Sequence, residues 1–585
     1  MGYQANVTAA DGISHGVLPE PPSDAASRKW SHHFRRPVER PFTAQERDHV
    51  TILFGGLTWK HERFIQAAFQ ACGYRFQPLP NPALTSYHVG RTFGNPGQCN
   101  PAYFTVGNLI QYLRELEARG LSKQEIIDNY VFFTAGSCGP CRFGMYESEY
   151  RMALENAGFA GLRVLLFSQN DGIKAKSGEP GLKFSVDLGM GAMNALNLGD
   201  ITNEIAYQLR PYEAVPGSTD HALHQIVDEL SDFLRSRPKF EILERSPGWF
   251  STRLAEKKQI KDVLNTLGKV WEHLYGKPYT DVLARCREIL GAVEVDRLRV
   301  KPTVKVIGEF WAQLTEGDGN FNMFSFLESE GAHVVVDSIG NWVMYLLHQA
   351  KANAREKRNV DAPYPYPGWW EIKKRLRNEL SFQKKRTPLT LGERIWARQY
   401  QRVVEALGNI AWSLPSQKKL ASLAHPFYHT LARGGEGHLE VGKNVYYTTH
   451  HLCHMVLALK TFGCMPSSQS DGVQSAVVNR FPEMIFLPIE TAGDGEVNAH
   501  SRVQMALTEA KLKARAEFED CLNRSEQRLE DIRAYVEDHP ELRSPLYEIP
   551  RQEGIAGVAA NFVLHVRERM RGRARKFSIA LATEP

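Results

Sequence analysis

The sequence predicts an α/β protein made of multiple Rossmann-like or flavodoxin-like, doubly wound domains with helical insertions. Three observations carry that expectation. Short β-branched and aromatic runs recur, as in Val50 to Phe54, Val131 to Phe133 and Val304 to Ile307. Each run meets a glycine-containing turn, and stretches with helical spacing of apolar residues follow. Strands alternating with helices in this way form parallel sheets, because a parallel pair needs a crossover between its strands.

Composition bounds the rest. At 585 residues the chain can hold several domains, and 43% hydrophobic residues supply their cores. Its 71 Lys and Arg against 66 Asp and Glu leave +5, too even a balance to argue for nucleic acid. Eight cysteines make no disulfide framework and suit a reducing cytoplasm. No apolar run reaches bilayer length, so no membrane association is expected. Residues 1–46, rich in Pro, Ser, Ala and Arg, lack the apolar core of a signal peptide and read as a flexible arm.

The first α/β domain is expected over residues 47–215. Val50-Thr51-Ile52-Leu53-Phe54-Gly55-Gly56 reads as a strand into a turn, followed by a helix from about His61 to Cys72, whose thiol reads as core packing. In Gly94-Asn95-Pro96-Gly97-Gln98-Cys99-Asn100-Pro101, Pro101 is pre-set for a first helical turn, which puts Cys99 at the mouth of a helix. Tyr130 to Gly144 holds the sequence's only CxxC, Cys138 and Cys141, between a predicted strand and a helix over Tyr146 to Ala157. Free amides at helix starts favour thiolates. A CxxC there fits a redox disulfide, half of a zinc site or half of an iron–sulfur site. Leu162 to Phe167 is a further strand, and Gly189-Met190-Gly191 lacks the third glycine of a dinucleotide fingerprint, so it reads as close helix packing.

A helical connector is expected over 216–300. A second βαβ then begins: Val304 to Phe310 as strand with Gly308-Glu309 at its end, Asn320 to Glu330 as helix, Gly331 to Asp337 as strand. Residues 301–350 and 389–510 form this second α/β portion, around a basic, aromatic insertion over 351–388. The insertion reads either as solvated helix faces or as a docking surface for a phosphate-bearing substrate or an acidic partner. Gly434-Gly435-Glu436-Gly437 precedes a predicted helix over Val441 to Leu457. On a continuing helical face His450, Cys453 and His454 would offer a zinc site. Cys464, between Gly463 and Met465-Pro466, lies in a predicted turn before the strand Met484 to Glu490. Cys286 and Cys521 look incidental, and residues 511–585 read as a helical end.

These segments resemble the 2-hydroxyacyl-CoA dehydratase and benzoyl-CoA reductase subunit superfamily, in the branch associated with acyl-CoA dehydratase activases. The residues that carry the resemblance are Gln98-Cys99-Asn100-Pro101, Ala135 to Gly144, Arg210-Pro211-Tyr212-Glu213, Gly308-Glu309, Gly434 to Gly437 and Phe462-Gly463-Cys464-Met465-Pro466. The resemblance implies an oxygen-sensitive protein of anaerobic metabolism with a 4Fe-4S cluster in an inter-domain cleft, held by Cys99, Cys138, Cys141 and Cys464. It implies low-potential electrons from a separate ATP-hydrolysing activase, used to reduce or dehydrate an acyl-CoA or similar substrate in a dimer or hetero-oligomer. The sequence carries no GxxxxGK[ST] stretch of its own. An electron relay to a partner enzyme and a structural zinc protein are the alternatives.

Overall fold

Thr51–Phe54 becomes strand β1, with every residue buried, and three further strands align parallel to it or its neighbours: β2 Arg75–Pro78, β3 Tyr130–Gly136 and β4 Arg163–Ser168, in the order β2-β1-β3-β4. The second sheet repeats the plan with β5 Thr303–Gly308, β6 His333–Val335, β7 Met455–Thr461 and β8 Phe486–Thr491, ordered β6-β5-β7-β8 and again parallel throughout. The computed structural model describes residues 39–136, 141–168, 181–237, 240–242, 258–432 and 434–572. Cys138 and residues 1–38 of the expected arm lie outside them.

Counted from its own first strand, each sheet runs 2-1-3-4. The direction of winding therefore reverses between β1 and β3 and between β5 and β7, and open parallel sheets bind ligands beyond the carboxyl ends of the strands at such a reversal. The two central strands of the second sheet are buried along their whole length, as expected of parallel strands covered by helices on both faces. Lys305 within β5 is fully buried because its ammonium reaches the Asp337 carboxylate beyond β6 at 2.6 Å, and Lys443 pairs with the same carboxylate.

Helices join the two sheets through a shared apolar core. Phe64 of the helix Trp59–Ala71, Leu198 and Ile201 of Val186–Leu209, Leu223 of Ser218–Ser236, Tyr279 of Lys277–Gly291 and Val403 of Ile372–Ala406 all belong to it. The described residues from Pro41 onward pack as one compact unit. Within the expected amino-terminal arm, Phe42 is buried in the core beneath the first sheet and Glu46 pairs with Arg163 at 2.9 Å.

Two expected elements need correction. The helix predicted to reach Leu457 is His438–Thr449, and Met455–Thr461 is the central strand β7. A continuous apolar run such as Met455-Val456-Leu457-Ala458-Leu459 has no period to separate a buried strand from a buried helix. The boundary drawn between 388 and 389 falls inside one helix, Ile372–Ala406, which carries Pro388. Among the described residues no helix is long and apolar enough to cross a membrane.

Candidate metal centre

Three cysteines cap three helical segments. Cys99 is the N-cap of the helix Asn100–Ala118, Cys141 that of the 3-10 turn Arg142–Met145 after β3, and Cys464 that of the helix Met465–Arg480 after β7. Glu309 caps Phe310–Leu314 after β5, its carboxylate accepting from the Ala312 amide at 2.9 Å. The residues after β3, β5 and β7 thus stand at the reversal points of both sheets. Gly308 makes the turn into Glu309 at φ 115, and a Cβ there would lie 2.0 Å from the Leu459 carbonyl oxygen, so no other residue fits.

The Cys99 loop is held by buried polar contacts. The Glu149 carboxylate accepts from the Asn95 amide at 3.2 Å, the Asn95 side chain at 2.7 Å and the Gln98 side chain at 2.8 Å. The Tyr103 hydroxyl accepts from the Gln98 amide and donates to the Asn95 carbonyl, both at 3.0 Å. The side chain of Gln98 and the ring of Pro101 therefore have structural tasks on either side of Cys99.

Across the junction, the Asn100 amide donates to the Phe462 carbonyl at 3.2 Å, and its side chain donates to the Thr491 carbonyl at 2.6 Å. Gly463, at φ 76, lies so close that a Cβ would stand 3.3 Å from the Cys99 Cα. The loops of Cys99 and Cys464, one from each half of the chain, are in contact. Arg142, next to Cys141, donates to the Gly97 carbonyl in the Cys99 loop.

Electrostatics ties the same groups together. Burial pushes the Cys99 thiol up, although the Tyr146 hydroxyl, 3.1 Å from its sulfur, and the Ala102 amide act to lower it. Burial pushes the Cys141 thiol up to about 12, with Glu436, Glu309 and Cys99 adding to the effect. The Cys464 thiol is likewise driven up by burial and then by Glu309 and Glu436. Glu309 and Glu436 are a coupled buried pair, both raised, chiefly by burial. Glu436 accepts from the Phe310 amide at 2.6 Å. Against the expectation that helix amides favour thiolates here, burial pushes each thiol up by more than the amides lower it.

That donor set fits a cationic, sulfur-seeking centre. Soft thiols at loop positions suit iron–sulfur ligation, and a positive centre would lower every one of these mutually raised groups together. Among the described residues no group of three His, Cys, Asp or Glu side chains is arranged to hold a metal ion by itself. Cys138 lies outside that set. The proposed zinc face does not form: the helix ends at Thr449, His451 takes φ 49, and His454 is engaged with the Thr303 amide at 2.9 Å and Glu517 at 3.3 Å. Cys286 and Cys521 are buried in helices away from these loops, and Cys72 caps the end of Trp59–Ala71.

Tyr146 is the group that sequence reasoning missed. Nothing in Tyr146-Glu147-Ser148 marks a tyrosine whose ring is buried against Phe143 and whose hydroxyl meets a sulfur. No family model matches this chain, and no curated protein matches it.

Proposed function

We propose that this chain is an iron–sulfur protein that binds a 4Fe-4S cluster through Cys99, Cys138, Cys141 and Cys464. It would accept low-potential electrons from a separate ATP-hydrolysing activase and pass them to a substrate of the acyl-CoA type or one similarly hard to reduce. The observation that carries this reading is the contact between the Cys99 and Cys464 loops beside Cys141, at the reversal points of two parallel sheets. When bound, the cluster supplies one-electron chemistry at a low potential.

The chain's own residues then have separable tasks. Tyr146, whose phenol is raised well above its ordinary value by burial and by Cys99, keeps its proton and can donate it in a hydrogen bond to the Cys99 sulfur. The bonds from Asn100 to the Phe462 and Thr491 carbonyls hold the Cys99 loop against the segment that carries Cys464. Glu309 and Glu436, both raised by burial, stand beside the site and would be lowered with the thiols when a positive centre is bound. A slot of about 20 Å³, lined by Phe310, Asp337, Ser338, Trp342, Glu436 and Lys443, adjoins them and has room for a water rather than a substrate.

The test is preparation without oxygen, followed by iron and sulfide analysis and electron paramagnetic resonance of the dithionite-reduced protein. A brown protein with about four iron and four sulfide per chain is expected. A colourless protein with stoichiometric zinc would overturn the reading.

A further inference from the structure

A second feature stands apart from the metal site. Residues 351–388 carry eleven Lys and Arg against four Asp and Glu, a net charge of +7 in a chain whose total is +5. They form the end of the helix Ile339–Glu356, a connecting segment and the start of Ile372–Ala406, which packs against that first helix. The inner face of the second helix is occupied: Phe382 is buried beneath Arg358 and Arg386, and the Asn378 side chain donates to the Tyr364 carbonyl at 2.7 Å.

Its outer face is not. Ile372, Leu376 and Leu380 recur every four residues and are 72%, 58% and 54% exposed, and Leu391 continues the line at 57%. At 100° per residue they form one stripe, roughly 28 Å long at 1.5 Å per residue. Trp369 and Trp370, also exposed, stand at its start. Lys373, Arg377 and Lys384 flank the stripe on one side and Arg375 on the other. None of these four has a carboxylate at ion-pairing distance among the described residues.

The width of the stripe and its flanks decide the kind of partner. A helix that lies in a lipid interface needs a broad apolar face, whereas a single slanting row of residues four apart is a ridge that packs into the groove of a second helix. Basic residues on both edges of a seam select acidic ones on the facing helix. A second copy of this chain would set two strongly positive faces against each other, which is unfavourable.

We propose that the outer face from Trp369 to Leu391 docks an acidic amphipathic helix of a partner protein. Seam contacts would come from Ile372, Leu376, Leu380 and Leu391, and orientation from the flanking cations. Exposed Trp residues would anchor one end, as aromatic side chains do in interfaces.

The test uses the full chain and a synthetic helical peptide with Leu at seam positions and Glu on both flanks, followed by fluorescence anisotropy. The peptide should bind tighter than a scrambled peptide of the same composition, and binding should weaken with salt. Leu376→Asp should weaken it roughly tenfold or more. The pair Arg377→Glu and Lys384→Glu should lose the acidic peptide and gain one with Lys on its flanks. These side chains are exposed, so the melting temperature should hold in every variant, and that is checked alongside. Binding no tighter than the scrambled peptide would overturn the proposal. So would co-sedimentation with phosphatidylserine vesicles that the peptide cannot displace, or a dimer by light scattering that Leu376→Asp splits.

Discussion

Asp200, buried in the helix Val186–Leu209, accepts from His61 Nε2 at 3.1 Å, and the same carboxylate accepts from the Ile339 and Gly340 amides at 2.7 and 2.8 Å. One acidic side chain therefore ties the helix after β1 to the amino end of the helix after β6. His61 completes the chain of bonds through its Nδ1, 2.8 Å from the Thr58 hydroxyl. Gly199 leaves the room for it, since a Cβ there would meet the imidazole at 2.1 Å.

Asp200→Ala should then destabilise the whole molecule. It leaves two helix-end amides and an imidazole buried without their acceptor, and removing one partner from such a set costs about 3–5 kcal/mol. Urea unfolding followed by circular dichroism would show a lower midpoint. An unchanged midpoint would mean that the two halves are held together by apolar packing alone.

Cys464→Ala and Cys141→Ala should each reduce the iron bound per chain, and Cys464→Ala should do so without unfolding, because its side chain is only partly buried in a loop. Iron analysis beside thermal melting separates the two effects. Full iron retention in Cys464→Ala would remove it from the ligand set and leave Cys99, Cys138 and Cys141.

Tyr146→Phe keeps the ring against Phe143 and deletes only the hydroxyl 3.1 Å from the Cys99 sulfur. A hydrogen bond to a ligating sulfur stabilises the more negative, reduced state, so its loss should lower the reduction potential by tens of millivolts, roughly, at unchanged iron content. Spectroelectrochemical titration measures it. An unmoved potential would place the hydroxyl outside the coordination of the centre.

Glu62 supplies a pH test away from the cysteines. Burial raises its carboxyl from 4.5 to about 8, against the opposing bond from the Leu57 amide. The folded protein holds this proton more tightly than the unfolded chain. The favourable contribution is complete below pH 4.5 and is lost as pH rises toward 8. Glu62→Gln removes the titration, so the melting temperature of the variant minus that of the wild type should rise across this interval. A flat difference would show that Glu62 titrates normally.

The helix starts and turns were legible because their signals are local. Pro101 after Cys99 fixes helix entry within two residues, Gly463 and Pro466 mark the turn at Cys464, and glycines after Phe54 and Ile307 end strands whatever surrounds them. The alternation of those strands with helices was enough to predict parallel α/β layers, and both sheets are parallel throughout. Cys99 could be placed at a helix mouth by the same reasoning, and Cys464 in a turn.

Sequence alone thus determined the α/β class, most of the strands and the capping position of Cys99, since each depends on a few neighbouring residues; the helix that Cys464 caps, Met465–Arg480, came only with the structure. Only the tertiary structure decided that Met455–Thr461 is a central strand, that Asn100 bonds to Phe462, and that Tyr146, Glu309 and Glu436 crowd the thiols. It also set burial against the thiolate form of these groups. A helix amide acts on the thiol next to it and can be read from the chain, but burial is set by every segment packed around a group. For Cys99, Cys141 and Cys464 those segments come from both halves of the molecule, and together they outweigh the amides.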